Sequence, residues 1–75
     1  MKFKIGDYVK IKAEWHLSHG SLGIISNIDN CVYTIDIISK ANILNQYSYV
    51  TINSERLLLA NENETHLIDS LVTFK

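Results

Sequence analysis

Four side chains in this 75-residue chain have the chemistry of soft or borderline metal ligands: His16 and His19, three residues apart, His66 near the C-terminal end, and Cys31. Structural zinc sites take four such ligands in paired spacings. Here there is one loop pair with two isolated members, so the spacing points to no metal site. The same residues bear on nucleophilic catalysis, which requires a Cys or Ser beside an imidazole, a carboxylate that orients it, and donors for a developing oxyanion. Cys31 has His16, His19 and Asp29 to draw on, but no spacing selects such a trio, and a chain this short offers little concavity for excluding water. Gly6, Gly20 and Gly23 are not followed by the Lys-Ser or Lys-Thr pair of a phosphate-binding loop. The expectation is a non-enzymatic protein without a cofactor, in which His16 and His19 are loop residues and Cys31 a small strand residue.

Binding chemistry is better represented. Tyr8, Trp15, Tyr47 and Tyr49 fall on outward strand faces or in loops, and Tyr and Trp are among the types most enriched at interface anchors. Trp15 shares its loop with His16 and His19, and loops leaving a rigid scaffold commonly hold binding residues. Tyr8, Trp15, His16, Tyr47 and Tyr49 are therefore the candidate partner-binding residues, in competition with a structural role for the rings as covers over sheet edges and ends. A second candidate surface is basic. Lys2, Lys4, Lys10 and Lys12 meet only Asp7 and Glu14 within the first twenty residues. Alternation sets Lys10 and Lys12 on one face with Tyr8, where a phosphate and a stacked base have room. Glu62, Glu64 and Asp69 would oppose nucleic acid if the tail folded across that face.

The elements that position these residues must come from a single small domain, since a chain near this size buries only about 60% of its unfolded surface. Apolar residues make up 47% and charged residues 20%, a foldable mixture. Seven Lys plus Arg against eight Asp plus Glu leave a net charge of −1, without the overall basic excess common in nucleic-acid binders. A single cysteine excludes an intramolecular disulfide and suits a reducing compartment. Charge interrupts the first residues too often for a signal sequence, and the longest unbroken apolar run, Leu57 to Ala60, is far too short to span a bilayer. A cytoplasmic chain is expected. Eleven Ile, seven Asn and six Lys against one Arg and no Pro suggest an AT-rich genome, as in a bacterium, a phage or a mobile element.

Period-two patterning predicts five strands. Val9, Ile11 and Ala13 alternate with Tyr8, Lys10 and Lys12 in the first, Tyr8 to Ala13. Leu22 to Asp29 and Cys31 to Ile38 form a hairpin about Asp29 and Asn30, types that tolerate left-handed backbone. Tyr33, Ile35 and Ile37 point inward in its second arm. Ser39 to Gln46 reads as a mobile connection. Tyr47 to Ile52 follows, with Val50 and Ile52 inward and the tyrosines outward, then an Asn53-Ser54-Glu55 turn and Arg56 to Ala60. Residues 1–60 are thus expected to form a barrel, because closure hides strand edges. Residues 61–75 form an appendage packing on the barrel or on a partner. Leu67, Ile68, Leu71 and Val72 have helical spacing and Asn61 to Glu64 offers caps, favouring a short helix, whereas Val72-Thr73-Phe74 favours a strand. The preferred role of this stripe is to close an open end of the barrel, and the alternative is a surface that faces a partner or a second copy.

Gly6-Asp7-Tyr8-Val9-Lys10-Ile11, followed by Gly20-Ser21-Leu22-Gly23-Ile24-Ile25, resembles the opening of a bacterial SH3-like barrel of the KOW type over about a third of the chain. The glycines suit that pattern: one supplies positive φ at a loop exit and the other leaves room where backbones approach. The resemblance implies a mainly β, five-stranded recognition module for RNA, ribosomal or transcription complexes, or other proteins. The Glu14 to Ser21 loop carries Glu14, Trp15, His16 and His19 in place of the family's basic residues. The reading is accordingly a protein-interaction module, a small regulator or accessory subunit, with a KOW-like RNA- or DNA-binding module using Lys10 and Lys12 as the alternative. No membrane partner is expected.

Overall fold

Strict alternation over Tyr8–Ile11 drives Val9 and Ile11 into a fully buried position and leaves Tyr8 and Lys10 on the other face. The computed structural model describes residues 3–73. Its elements are β1 (Tyr8–Ile11), β2 (Leu22–Asp29), β3 (Val32–Ser39), β4 (Tyr49–Asn53), a 3₁₀ turn at Ser54–Arg56, β5 (Leu57–Leu59) and α1 (Glu62–Thr73). The protein is mainly β: all five strands lie antiparallel to their neighbours in one sheet of order β4-β3-β2-β1-β5, followed by one short helix. Lys2 of the basic group and Phe74 of the tail lie outside the described residues.

The expected closed barrel is corrected to an open sheet, because β4 and β5 share no ladder. The chain passes from one to the other through the Ser54–Arg56 turn, whose carbonyl at Ser54 takes the Leu57 N–H, and β5 is only three residues long. No length remains for a closing ladder. The hairpin turn lies one residue later than expected: Asp29 pairs with Val32, and the two-residue loop is Asn30-Cys31, with Asn30 at φ 56°. Asn is one of the few non-glycine types that adopts this conformation readily.

One face carries the main core of Val9, Ile11, Ile25, Tyr33, Ile35, Val50 and Leu57, joined by Phe3 and Ala13. Ile37 and Ile52 pack against it, as the alternation requires. Phe3 meets Tyr33 edge to face, with centroids 5.9 Å apart. Gly23 makes close strand packing possible: a Cβ there would lie 2.4 Å from the Asp36 carbonyl oxygen and 2.6 Å from Ile35 Cγ2. Gly20 takes φ +81° where the first loop enters β2.

The helix covers the opposite face rather than an open end. Tyr8 and Lys10, the outward residues of β1, both bond to it, and α1 also touches β2 and β3. Ile68 is fully buried there, and Leu22, paired with Lys10 and thus on the same face, is buried outside the main core. Leu67, Leu71 and Val72 of the apolar stripe remain exposed. Helix initiation follows the cap signal: Asn61 Oδ1 accepts the Glu64 N–H at 2.8 Å while Glu64 Oε1 accepts the Asn61 N–H at 2.9 Å, a reciprocal capping box. Val72 and Thr73 belong to the helix, so the extended alternative is overturned for them.

Candidate functional site

The loop from Lys12 to Ser21 is built by its own polar groups. The His16 N–H donates to the Ala13 carbonyl at 2.8 Å, and the His19 N–H to the His16 carbonyl at 3.0 Å. Both imidazoles act as acceptors: His16 Nδ1 takes the Ser18 N–H at 3.0 Å and His19 Nδ1 takes the Ala13 N–H at 3.1 Å. Each bond requires an unprotonated Nδ1. Cys31 is exposed in the β2–β3 turn, and among the described residues no three His, Cys, Asp or Glu side chains gather to hold a metal ion.

A second loop, residues 40–48, is fastened to the first. Asn45 Nδ2 donates to Ser18 Oγ at 3.2 Å, both residues buried, while Asn45 Oδ1 takes the Tyr47 N–H at 2.9 Å. Ser21 Oγ, also buried, takes the Ala41 N–H at 3.1 Å. The connection is thus tied to the first loop by hydrogen bonds, that of Asn45 to Ser18 buried, which satisfy polar groups that would otherwise oppose burial. Ser18, Ser21 and Asn45 are the positioning residues that sequence patterning misses, since none belongs to a periodic apolar run.

This fastening brings His16, from the first loop, beside Tyr47, Tyr49, Val50 and Thr51 around a cavity of about 210 Å³. Three of the five candidate partner-binding residues thus line one site. Tyr47 and Tyr49 are 58% and 59% exposed. The cavity offers an imidazole, two phenols and a hydroxyl, a set suited to hydrogen bonding and ring contact. Trp15, next to His16 in the chain, is 70% exposed, and the Arg56 guanidinium carbon lies 4.4 Å from the centroid of its ring, a cation–π geometry. Arg56 belongs to the same neighbourhood as Lys12, whose N–H donates to the Arg56 carbonyl at 2.7 Å.

Tyr8 stands apart from this site. Its hydroxyl donates to Asp69 Oδ1 at 2.5 Å, and that hydrogen bond is the main reason its phenol is held above the usual tyrosine range. Lys10 pairs with Glu64 at 3.2 Å, while Lys12 is exposed. The face that would hold nucleic acid therefore also carries two carboxylates from α1. Elsewhere, Phe3 and Leu57 to Leu59 line an apolar concavity of about 230 Å³. No helix among the described residues is long and apolar enough to cross a membrane. No protein-family model and no curated protein sequence matches the chain.

Proposed function

We propose that this chain is a non-enzymatic, cytoplasmic interaction module that presents a preformed surface to a protein partner, in the manner of a small regulator or accessory subunit. The observation that carries the reading is the meeting of His16, Tyr47 and Tyr49 around one cavity, with exposed Trp15 adjacent to His16. Aromatic rings held by a fastened loop lose little freedom on binding, which favours affinity. The suggested SH3-like relationship of the KOW type rests on the sequence pattern of Gly6 to Ile11 and Gly20 to Ile28. The stripe of Leu67, Leu71 and Val72 supports an additional contact between two copies.

The alternative, an RNA- or DNA-binding module using Lys10 and Lys12, is disfavoured by Glu64 and Asp69 on the same face. The two readings differ in salt response, since phosphate contacts release counterions and weaken steeply with salt. Captured partner from the native host is the material for the test. Trp15→Ala, or Tyr47→Ala with Tyr49→Ala, is expected to abolish capture while the thermal melt stays cooperative, because these side chains are exposed. Binding to generic RNA with a steep salt slope, lost in Lys10→Glu with Lys12→Glu, is the result that overturns this reading.

A further inference from the structure

The β4 strand is one edge of the sheet, and its bonding pattern can be assigned residue by residue. The Ile37 N–H donates to the Ser48 carbonyl at 2.9 Å, in the register that pairs Asp36 with Tyr49 and Ile35 with Val50. In an antiparallel pair, bonded and non-bonded positions alternate. Ser48, Val50 and Ile52 therefore direct their backbone groups at β3. Tyr49 and Thr51 direct their N–H and C=O groups away from the sheet, and among the described residues no backbone pairs with them there.

Exposed edges in soluble proteins are usually guarded by lysine, proline, a bulge or extreme shortness. The β4 sequence, Tyr-Val-Thr-Ile-Asn, has no charge and no proline, spans five residues, and pairs with β3 without a register shift. The other edge differs. β5 has three residues, and its Leu57 N–H is taken by Ser54. The unguarded part of β4 coincides with the cavity, because Tyr49 and Thr51 belong both to the free edge and to the wall shared with His16 and Tyr47.

We infer that β4 is a docking edge for an extended peptide segment, which adds as a sixth strand through the backbone groups of Tyr49 and Thr51 and lowers one side chain into the His16–Tyr47–Tyr49 cavity. This rests on the protein-interaction reading above and names the form of the partner. Main-chain pairing supplies affinity in such strand addition, and the side-chain pocket supplies selectivity. The mixed polar and aromatic lining suits a side chain that both stacks and accepts or donates hydrogen bonds. A second copy of the chain, joined edge to edge through its own β4, is the competing occupant and an outcome of the test.

The probe is a linear peptide of about seven residues, long enough to pair along β4, enriched from a random displayed library on the full chain and then synthesised. Bound to the isotope-labelled protein, it is expected to slow amide exchange at Tyr49 and Thr51. Methylating the peptide's backbone nitrogens at alternate positions should weaken binding about tenfold, with little effect at the intervening ones. Thr51→Pro removes an N–H that the β3 ladder does not use and is expected to abolish binding, whereas Thr51→Val preserves it. If Thr51→Pro fails to fold, the methylation scan decides alone. Peptide binding that leaves both amides unprotected and depends on Trp15 overturns the edge assignment while sparing the interaction reading. So does failure of any peptide to enrich while the host partner is still captured. Sedimentation as a dimer with Tyr49 and Thr51 protected in the free protein overturns it in favour of a second copy.

Discussion

The hydroxyl of Tyr8 donates a hydrogen bond to Asp69 that joins the first strand to the helix across 61 positions of sequence. The bond exists only with the phenol neutral, and with the Asp69 charge it raises the phenol's titration above the usual value of about 10. The sign follows directly. A group whose folded pKa is raised adds stability below its unfolded value and loses that contribution as pH rises through the folded value. Helix docking should therefore weaken in strong alkali. In a phenolate absorbance titration, the late-ionising component should vanish in Tyr8→Phe and shift down in Asp69→Asn. A titration curve unchanged by Asp69→Asn would refute the pairing.

At the other end of the pH range the capping box responds. The Glu64 carboxyl is held below its usual range chiefly by the Asn61 N–H, with Lys10 assisting and partial burial opposing. A depressed folded pKa gives stability above the unfolded value that is lost as pH falls through the folded one. Acid should fray the first turn of α1 before the sheet, visible as faster amide exchange at Glu64 and Thr65. Asn61→Ala is expected to cost about 1 kcal/mol and Asn61→Asp close to nothing, read by thermal or denaturant melts.

Gly23→Ala is expected to be among the most damaging of the small substitutions. Its Cβ would fall within 2.4 Å of a backbone carbonyl, and backbone in a paired ladder cannot move aside as a flexible side chain can. A loss of about 1–3 kcal/mol is expected, typical of overpacking. Gly6 provides the contrast, with φ +97° but open space around the missing Cβ, so Gly6→Ala carries backbone strain alone. Denaturant midpoints in which Gly23→Ala matches the wild type would rule out the close approach of β2 to β3.

The core of this fold is legible because each strand has one buried face, so alternation at Val9, Ile11, Tyr33 and Ile35 fixes orientation before any partner is known. The hairpin and the capping box are legible for local reasons, since Asn30 and the Asn61 to Glu64 pair act within a few residues. Features that depend on distant partners are not. Ser18 and Asn45 meet across 27 positions and carry no apolar signature. Asn45 also takes the Tyr47 N–H, and β4 starts two residues later than alternation suggests, at Tyr49. The outward pairing of Tyr47 with Tyr49 could be read from spacing, but their meeting with His16 could not, because it arises from one loop fastened to another. The open sheet likewise reflects the length of β5 and the 3₁₀ turn, whereas apolar patterning alone suggested closure.

The two loop histidines provide the most direct test of how the candidate site is held. His16 and His19 each accept a loop amide through Nδ1, and His16 lies one residue from Trp15 and in the wall of the cavity. If their part is to accept those bonds, a side chain with an oxygen near the Nδ1 position should substitute. Asn places its Oδ1 there, whereas Phe retains a ring of similar shape without an acceptor. His19→Asn is therefore expected to keep nearly the full stability of the wild type, and His19→Phe to lose about 1 kcal/mol, the typical net worth of one hydrogen bond. The effect should reach the cavity, because the bonded loop is fastened through Ser18 to Asn45 and from there to Tyr47. Nuclear resonance shifts of Tyr47 and Tyr49 should accordingly move in His16→Phe with His19→Phe and stay in place in the double Asn variant. Equal stability and equal tyrosine shifts in the Phe and Asn variants would mean that ring packing, and not acceptance of the Ser18 and Ala13 amides, shapes the site.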